Sequence, residues 1–306
     1  MRSDPTPAGR LGRALVRGLP ALWLVLFFLV PFAVVLKISL STPATAQPPY
    51  RPLLDWGAGW EGWRAFVEAL DLQNYAMLAG DALYRDAALT SLAYAGAATA
   101  ILALVGTPMA WAMARATPRM QGLLVALVIV PFWTSFLIRV YAWIAILKPE
   151  GLLNMALLRL GLIGEPLAIL DTPAGVLIGL TYAYLPFLVL PLYAVMARLD
   201  PALPEAAADL GASRARAFLT VTLPLSLPGL TAGMLLCFIP MVGEFIIPDL
   251  LGGSDTLMLG RVLWSEFFSN RDWPLASAVA VLMLVLIVGP VVLFRGVRER
   301  QDAAAR

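Results

Sequence analysis

The sequence predicts an all-α integral membrane protein with six transmembrane helices, and three observations carry that prediction. Hydrophobic residues make up 60% of the chain and charged residues 14%, with a mean hydropathy of +0.81. No soluble domain of this size could place so much apolar surface against water. Apolar runs of about 20 residues, the length that crosses a bilayer core, recur from end to end. Lys and Arg also fall unevenly between the segments joining those runs. A net charge of +2, with the arginines scattered, excludes a nucleic-acid surface. The chain has no His and a single Cys, Cys237, so it cannot build a His/Cys metal site or an internal disulfide. Cys237 lies in an apolar run and reads as a small packing residue.

The spans fall at roughly 20–41, 87–114, 121–147, 173–197, 224–247 and 275–295. The first has a basic start at Arg10, Arg13 and Arg17, and Ala44-Thr45-Ala46 could serve as a signal-peptide cleavage site. Its apolar run from Leu19 to Leu36 is longer than the usual 7–15 residues or so of a signal, which favours an uncleaved helix. The segment 42–86 is long enough to hold structure. There Trp60, Trp63, Val67 and Leu70 recur at helical spacing while Glu61, Glu68 and Asp71 turn away, the pattern of an amphipathic helix. With Trp56 it carries tryptophans suited to a membrane interface or to a docking surface for a soluble partner. The expected organisation is a single membrane domain, 20–295, with tails 1–19 and 296–306.

Cytoplasmic flanks retain Lys and Arg. With both termini inside, the inner segments hold thirteen of these cations, including Arg115, Arg119, Arg198, Arg214 and Arg216, against seven outside. This places 42–86 outside and 198–224 in the cytoplasm. Thirteen of the 20 acids fall on the outer side, through ordinary solvation of exposed loops or as a face attractive to cations. The chain contains neither a G-x-x-x-x-G-K-[ST] loop nor a strand-anchored G-x-G-x-x-G, so any ATP, with its Mg, is expected on another chain.

A charge within a span costs about 2.5–3.5 kcal/mol on insertion scales, so each one needs a reason. Lys37 lies near the outer end of its helix and can snorkel. Glu244 is the single acid within a span, and because helices three and five run in the same direction, Arg139 lies within roughly 8 Å of its depth. Two readings of Glu244 follow: a buried pair with Arg139 or an equivalent cation on a partner subunit, or a counter-charge for a cationic substrate. Pro240 and Gly243 weaken the helix just before Glu244, and Pro248-Asp249 follows, as expected of a broken helix lining a cavity. Trp133, beside Pro131, and Tyr184, beside Pro186, are aromatic faces that could receive an ammonium group. The candidate pathway residues are thus Glu244, Trp133, Tyr184, Arg139 and Asp249.

The segment from Glu205 to Pro224, EAAADLGASRARAFLTVTLP, is a charged interruption between apolar runs. Pro204 suits a first helical position, Glu205 a first turn, Gly211 a positive φ and Ser213 the cap of a following helix. Ala202, Leu203, Ala206, Ala207 and Leu210 share one face, with Glu205 and Asp209 one turn apart on another. The like charges oppose each other mildly unless a basic partner answers them.

This stretch resembles the EAA loop of permease subunits of binding-protein-dependent ABC importers. Their pattern is E-A-A, three residues, Gly, nine residues, Ile-x-Leu-Pro. Glu205-Ala206-Ala207, Gly211 and Leu223-Pro224 keep the spacing, with Val221 in the Ile position. Pro131–Asn154, Val242–Gly253 and Asn74–Ala95 are similar to the spermidine/putrescine permeases of the PotB and PotH type. The resemblance implies a type I importer permease in the inner membrane, driven by alternating access. It implies a second permease subunit, two ATPase subunits and a periplasmic binding protein as partners. Glu205, Ala206, Ala207 and Gly211 would dock on the ATPase, flanked by Asp209 and Ser213. Relatives import iron, thiamine and phosphonates, which keeps other cargo open. An ATPase-independent secondary transporter would need several membrane acids or His.

Overall fold

The computed structural model describes residues 7–304, with side chains over 16–289. Arg2 and Arg306 therefore lie outside the described residues, as do the side chains of Arg10, Arg13, Arg295, Arg298 and Arg300, which entered the charge count. The chain forms two compact units, one running to Ala82 and taking in Leu263–Val285, the other comprising Leu83–Val262 and the chain from Leu286 on.

In the first unit, α1 (Val16–Ser39) contains one widened π turn at Val25–Leu29, and its side chains from Val16 to Val30 are all exposed. An apolar helix with no burial in its own chain belongs against lipid or a partner. Its last carbonyls lack intrahelical donors. Asn74 supplies them from α3 (Gln73–Gly80), donating from Nδ2 to the carbonyls of Ser39 at 2.9 Å and Ser41 at 2.8 Å. Ser39 and Tyr75 share a further hydroxyl bond at 2.6 Å. Lys37 Nζ donates to the Pro52 carbonyl at 2.6 Å and lies 4.2 Å from the Tyr50 ring centroid, so the 42–86 segment answers its charge. That segment carries a two-residue antiparallel pair, β1 (Thr42–Pro43) with β2 (Tyr50–Arg51). The amphipathic helix forms as α2 (Gly59–Glu68), preceded by one 3-10 turn that Asp55 caps through Gly57 N at 2.9 Å. Trp56 stands exposed on that turn and Trp60 on the helix.

The second unit opens with α4 (Ala82–Arg115), which begins earlier than the predicted span. The third predicted span is not continuous. It consists of α5 (Pro118–Ile129), a 3-10 turn at Val130–Trp133, and α6 (Phe136–Leu147), and Pro118–Trp133 is bent by 94° from Phe136–Arg159. The helical path turns extended at Thr134 and Ser135, with ψ of 153° and 137°. Thr134 Oγ1 donates back to the Pro131 carbonyl at 2.7 Å, competing with the helical ladder where proline has already removed a donor.

After α7 (Leu152–Arg159) comes α8 (Pro173–Met196), which packs along α10 (Arg214–Val242). Leu180, Leu188, Val189, Leu192, Cys237 and Met241 are fully buried there, and Cys237 takes the packing role expected of it. Beyond the short α9 (Ala202–Asp209) and α10 lie α11 (Ile246–Leu251), α12 (Leu259–Trp264) and the last helix, α13 (Trp273–Ala304). Among the described residues, α1, α4, α8 and α10 are each long and apolar enough to cross a membrane, and the bent pair adds a fifth if it is one span. The sixth predicted span falls on the shorter apolar stretch Trp273–Gly289 of α13.

Candidate functional site

Helix α10 stops at Val242, and Glu244 occupies the gap before α11. Its Oε1 accepts from the backbone N–H groups of Phe245 at 3.2 Å and Ile246 at 3.0 Å, satisfying orphan donors at the start of α11. Its Oε2 accepts from the Tyr184 hydroxyl of α8 at 2.8 Å. The carboxylate is half-buried, fixed by three donors, and retains lone pairs for a further cation. Gly260 of α12 lies over this break. A Cβ there would come within 2.5 Å of the Gly243 carbonyl oxygen and 2.7 Å of that of Glu244, so only glycine permits the approach. Ser91 of α4 anchors α12 by accepting from Leu259 N at 2.8 Å.

The pairing of Glu244 with Arg139 does not form. The shared depth assumed two straight helices, and the 94° bend removes that assumption for every residue after Trp133. Arg139 instead stacks over Phe132, 4.5 Å from the ring centroid, and Phe136, at 5.7 Å. Among the described residues its guanidinium has no hydrogen bond or ion pair, and its Nε is buried without a partner. It lines a cavity of about 400 Å³ between α4, α5 and α8 whose other walls include Met109, Met113, Leu124, Val128 and Leu185. Asp249 is committed to Arg261 at 3.0 Å. Trp133 is 84% exposed at the bend. Phe132 meets Phe187 edge-on at 5.4 Å, and Phe187 lies 6.0 Å from Tyr184, so an aromatic run joins the bend to Glu244.

The structure thus brings together Tyr184 and Glu244, leaves Arg139 and Trp133 at the other end of the aromatic run, and pairs Asp249 elsewhere. Sequence reasoning missed Phe132, Phe187 and Gly260. The first two look like ordinary span aromatics, and the close approach at Gly260 depends on contacts 16 residues or more apart in chain and so leaves no local signal. Among the described residues no three His, Cys, Asp or Glu side chains gather as for a metal ion.

The elbow forms as two helices around a turn. Helix α9 starts at Ala202, two residues before the expected start, with Asp200 Oδ1 accepting from Ala202 N at 3.0 Å. Pro204 is therefore its third residue, where the missing N–H would still be unpaired. Gly211 has φ +87° and Ser213 Oγ accepts from Arg216 N at 3.3 Å, as the turn requires. Ala206, Asp209 and Leu210 are exposed, Leu210 by 90%, while Ala207 is partly covered. Glu205 lines a cleft of about 340 Å³ with Arg115, Arg214 and Trp111, and among the described residues neither Glu205 nor Asp209 has an ion pair. An exposed apolar tip flanked by unanswered acids is built to meet another surface.

The family described as binding-protein-dependent transport system inner membrane component matches residues 104–300, from α4 across the elbow and into the last helix. The chain belongs to that family. It is the permease component of an ABC transport system and an inner membrane protein. The spermidine/putrescine transport system permease protein PotB of Haemophilus influenzae is 39% identical over 265 residues, 87% of this chain and 86% of that protein. PotB of Escherichia coli K12 is 39% identical over 266 residues, covering 87% and 90%. A crystal structure of a bacterial ABC transporter that imports the acidic polysaccharide alginate superposes with a TM-score of 0.61 at 17% identity, covering 94% of this chain and 98% of that one. That likeness shows the fold.

Proposed function

We propose that this permease forms half of a translocation pathway for polyamines, delivered by a periplasmic binding protein and moved by alternating access. Both termini and the 198–224 elbow face the cytoplasm in this reading. A second permease subunit completes the pathway, and two ATPase subunits, which bind ATP and Mg, drive it. The observation that carries the cargo assignment is Glu244, an acid within the membrane domain held at a helix break by Tyr184 at the end of an aromatic run. A carboxylate beside aromatic faces suits a flexible polycation, which needs one fixed negative charge and several π faces to pass along. The likeness to PotB points to the same class of cargo.

Helix α9 and its turn couple ATP hydrolysis to the pathway in this reading. Glu205 and Asp209 meet basic side chains of the ATPase, Ala206 and Ala207 allow close backbone approach, and Gly211 and Ser213 fix the angle between α9 and α10. ATP binding closes the ATPase pair, and the elbow passes the motion to α10, whose far end carries Glu244. The test is ATP hydrolysis by the complete complex in proteoliposomes, with binding protein loaded in turn with spermidine, putrescine, iron, thiamine or phosphonate. Stimulation by the polyamines alone is expected. Stimulation by another cargo, with none by polyamines, would refute the assignment.

A further inference from the structure

Arg139 lies within the membrane domain, and among the described residues no acid answers its charge. Glu244 is held by Tyr184, and Asp249 by Arg261. The rings of Phe132 and Phe136 cover the face of the guanidinium, but a cation–π contact leaves the N–H donors in its plane unmet. Inside a membrane such donors seek an acid or a carbonyl. We propose that Arg139 receives a carboxylate from a membrane span of the second permease subunit, whose neighbouring apolar side chains fill the cavity beside it. This rests on the reading above that a second permease packs against this chain.

Three further observations select that occupant. Depth argues against a lipid phosphate. Tyr182, which shares the cavity wall with Arg139, lies 9 and 14 residues from the two ends of α8, about 14 and 21 Å along the helix. With α8 spanning the bilayer core, headgroups would sit beyond those ends. Chemistry argues against the proposed cargo, since a polyamine would be repelled. The cavity supplies the third observation: apart from Arg139 and Tyr182 its walls are apolar, and Leu127 at its rim is 58% exposed. A neighbouring helix carrying one acid among large apolar residues matches both the cation and the slot. An Arg–carboxylate pair is bidentate and directional, so it would also fix the register between the two subunits.

The experiment uses the tagged full-length chain, co-expressed with its ATPase and companion permease and extracted in detergent. The wild-type protein must bring down a second permease chain; if it brings down none, the reading of the preceding subsection fails. Given that recovery, Arg139→Gln is expected to lower it roughly tenfold or more, and Arg139→Lys, which keeps the charge but loses the bidentate fork, to lower it by less. Arg139→Glu should lose the companion and regain it when one Asp or Glu in that companion's spans is exchanged for Arg, a rescue that misfolding would not give. Wild-type recovery by Arg139→Gln overturns the proposal, as does failure of every exchange to rescue Arg139→Glu. An anionic lipid retained on the wild-type protein in native mass spectrometry and lost with Arg139→Gln would assign the guanidinium to lipid and overturn it as well.

Discussion

Replacing Glu244 with Gln separates the two jobs its carboxylate can hold. In the fold, Gln keeps a carbonyl oxygen for the N–H groups of Phe245 and Ile246, and Tyr184 can turn its hydroxyl to accept from the new amide. The structural loss is then the difference between charge-assisted and neutral hydrogen bonds, about 1 kcal/mol. The loss to a bound cation is larger. A unit charge 4 Å from a carboxylate gains roughly 4 kcal/mol at an effective dielectric of 20, nearly three powers of ten in affinity. Water in an open pathway reduces this, and a rise in KM for polyamine uptake of about a hundredfold is expected, with membrane abundance almost unchanged. The assay is uptake of labelled spermidine in intact cells, normalised to the permease in the membrane. Tyr184→Phe is the control, because it removes the hydroxyl donor and leaves the charge. If Glu244→Gln and Tyr184→Phe reduce uptake per molecule equally, the carboxylate serves only to hold α11 against α8, and its role as counter-charge is refuted.

Gly211→Ala adds a Cβ in open space, so its cost is that of a left-handed φ of +87° for an ordinary residue, about 1–2 kcal/mol. Co-purified ATPase should fall roughly tenfold while the permease stays in the membrane. Asn74→Ala removes both donors from the Ser39 and Ser41 carbonyls and should cost about 1–3 kcal/mol locally. Hydrogen exchange at the end of α1 should accelerate, with that near Glu244 unchanged. Gly260→Val forces a side chain against the Gly243 and Glu244 carbonyls and should destabilise the protein by about 1–3 kcal/mol or more, read as a lower melting temperature in detergent.

The long apolar helices were legible because they depend on composition alone. A run of about 20 apolar residues has few alternatives in a bilayer, so α1, α4, α8 and α10 fall where hydropathy puts them. The elbow was legible for a different reason, since its cap, turn and acids are local rules that operate within a dozen residues. Its starting point moved by two residues because Asp200 offers an earlier acceptor than the sequence pattern weighted. The bend in the third span was half-visible. Pro131 announced a weakness, but the sharp turn falls at Thr134 and Ser135, whose preference for extended backbone over helix is decided by what packs around them.

The site was least legible where it depends on that bend. Converting residue count to depth at 1.5 Å per residue holds for one straight helix, and it put Arg139 beside Glu244. The 94° bend between Pro118–Trp133 and Phe136–Arg159 breaks the conversion, and Arg139 lies over Phe132, which meets Phe187 edge-on. The consequence is electrostatic. Had the two charges paired, Arg139 would already answer the Glu244 carboxyl; instead its hydrogen bonds come from the Tyr184 hydroxyl and two backbone N–H groups, none of which brings a positive charge. On the two proposals above, the same bend that parts Arg139 from Glu244 leaves the acid to the cargo, and Arg139 takes its carboxylate from the second permease subunit.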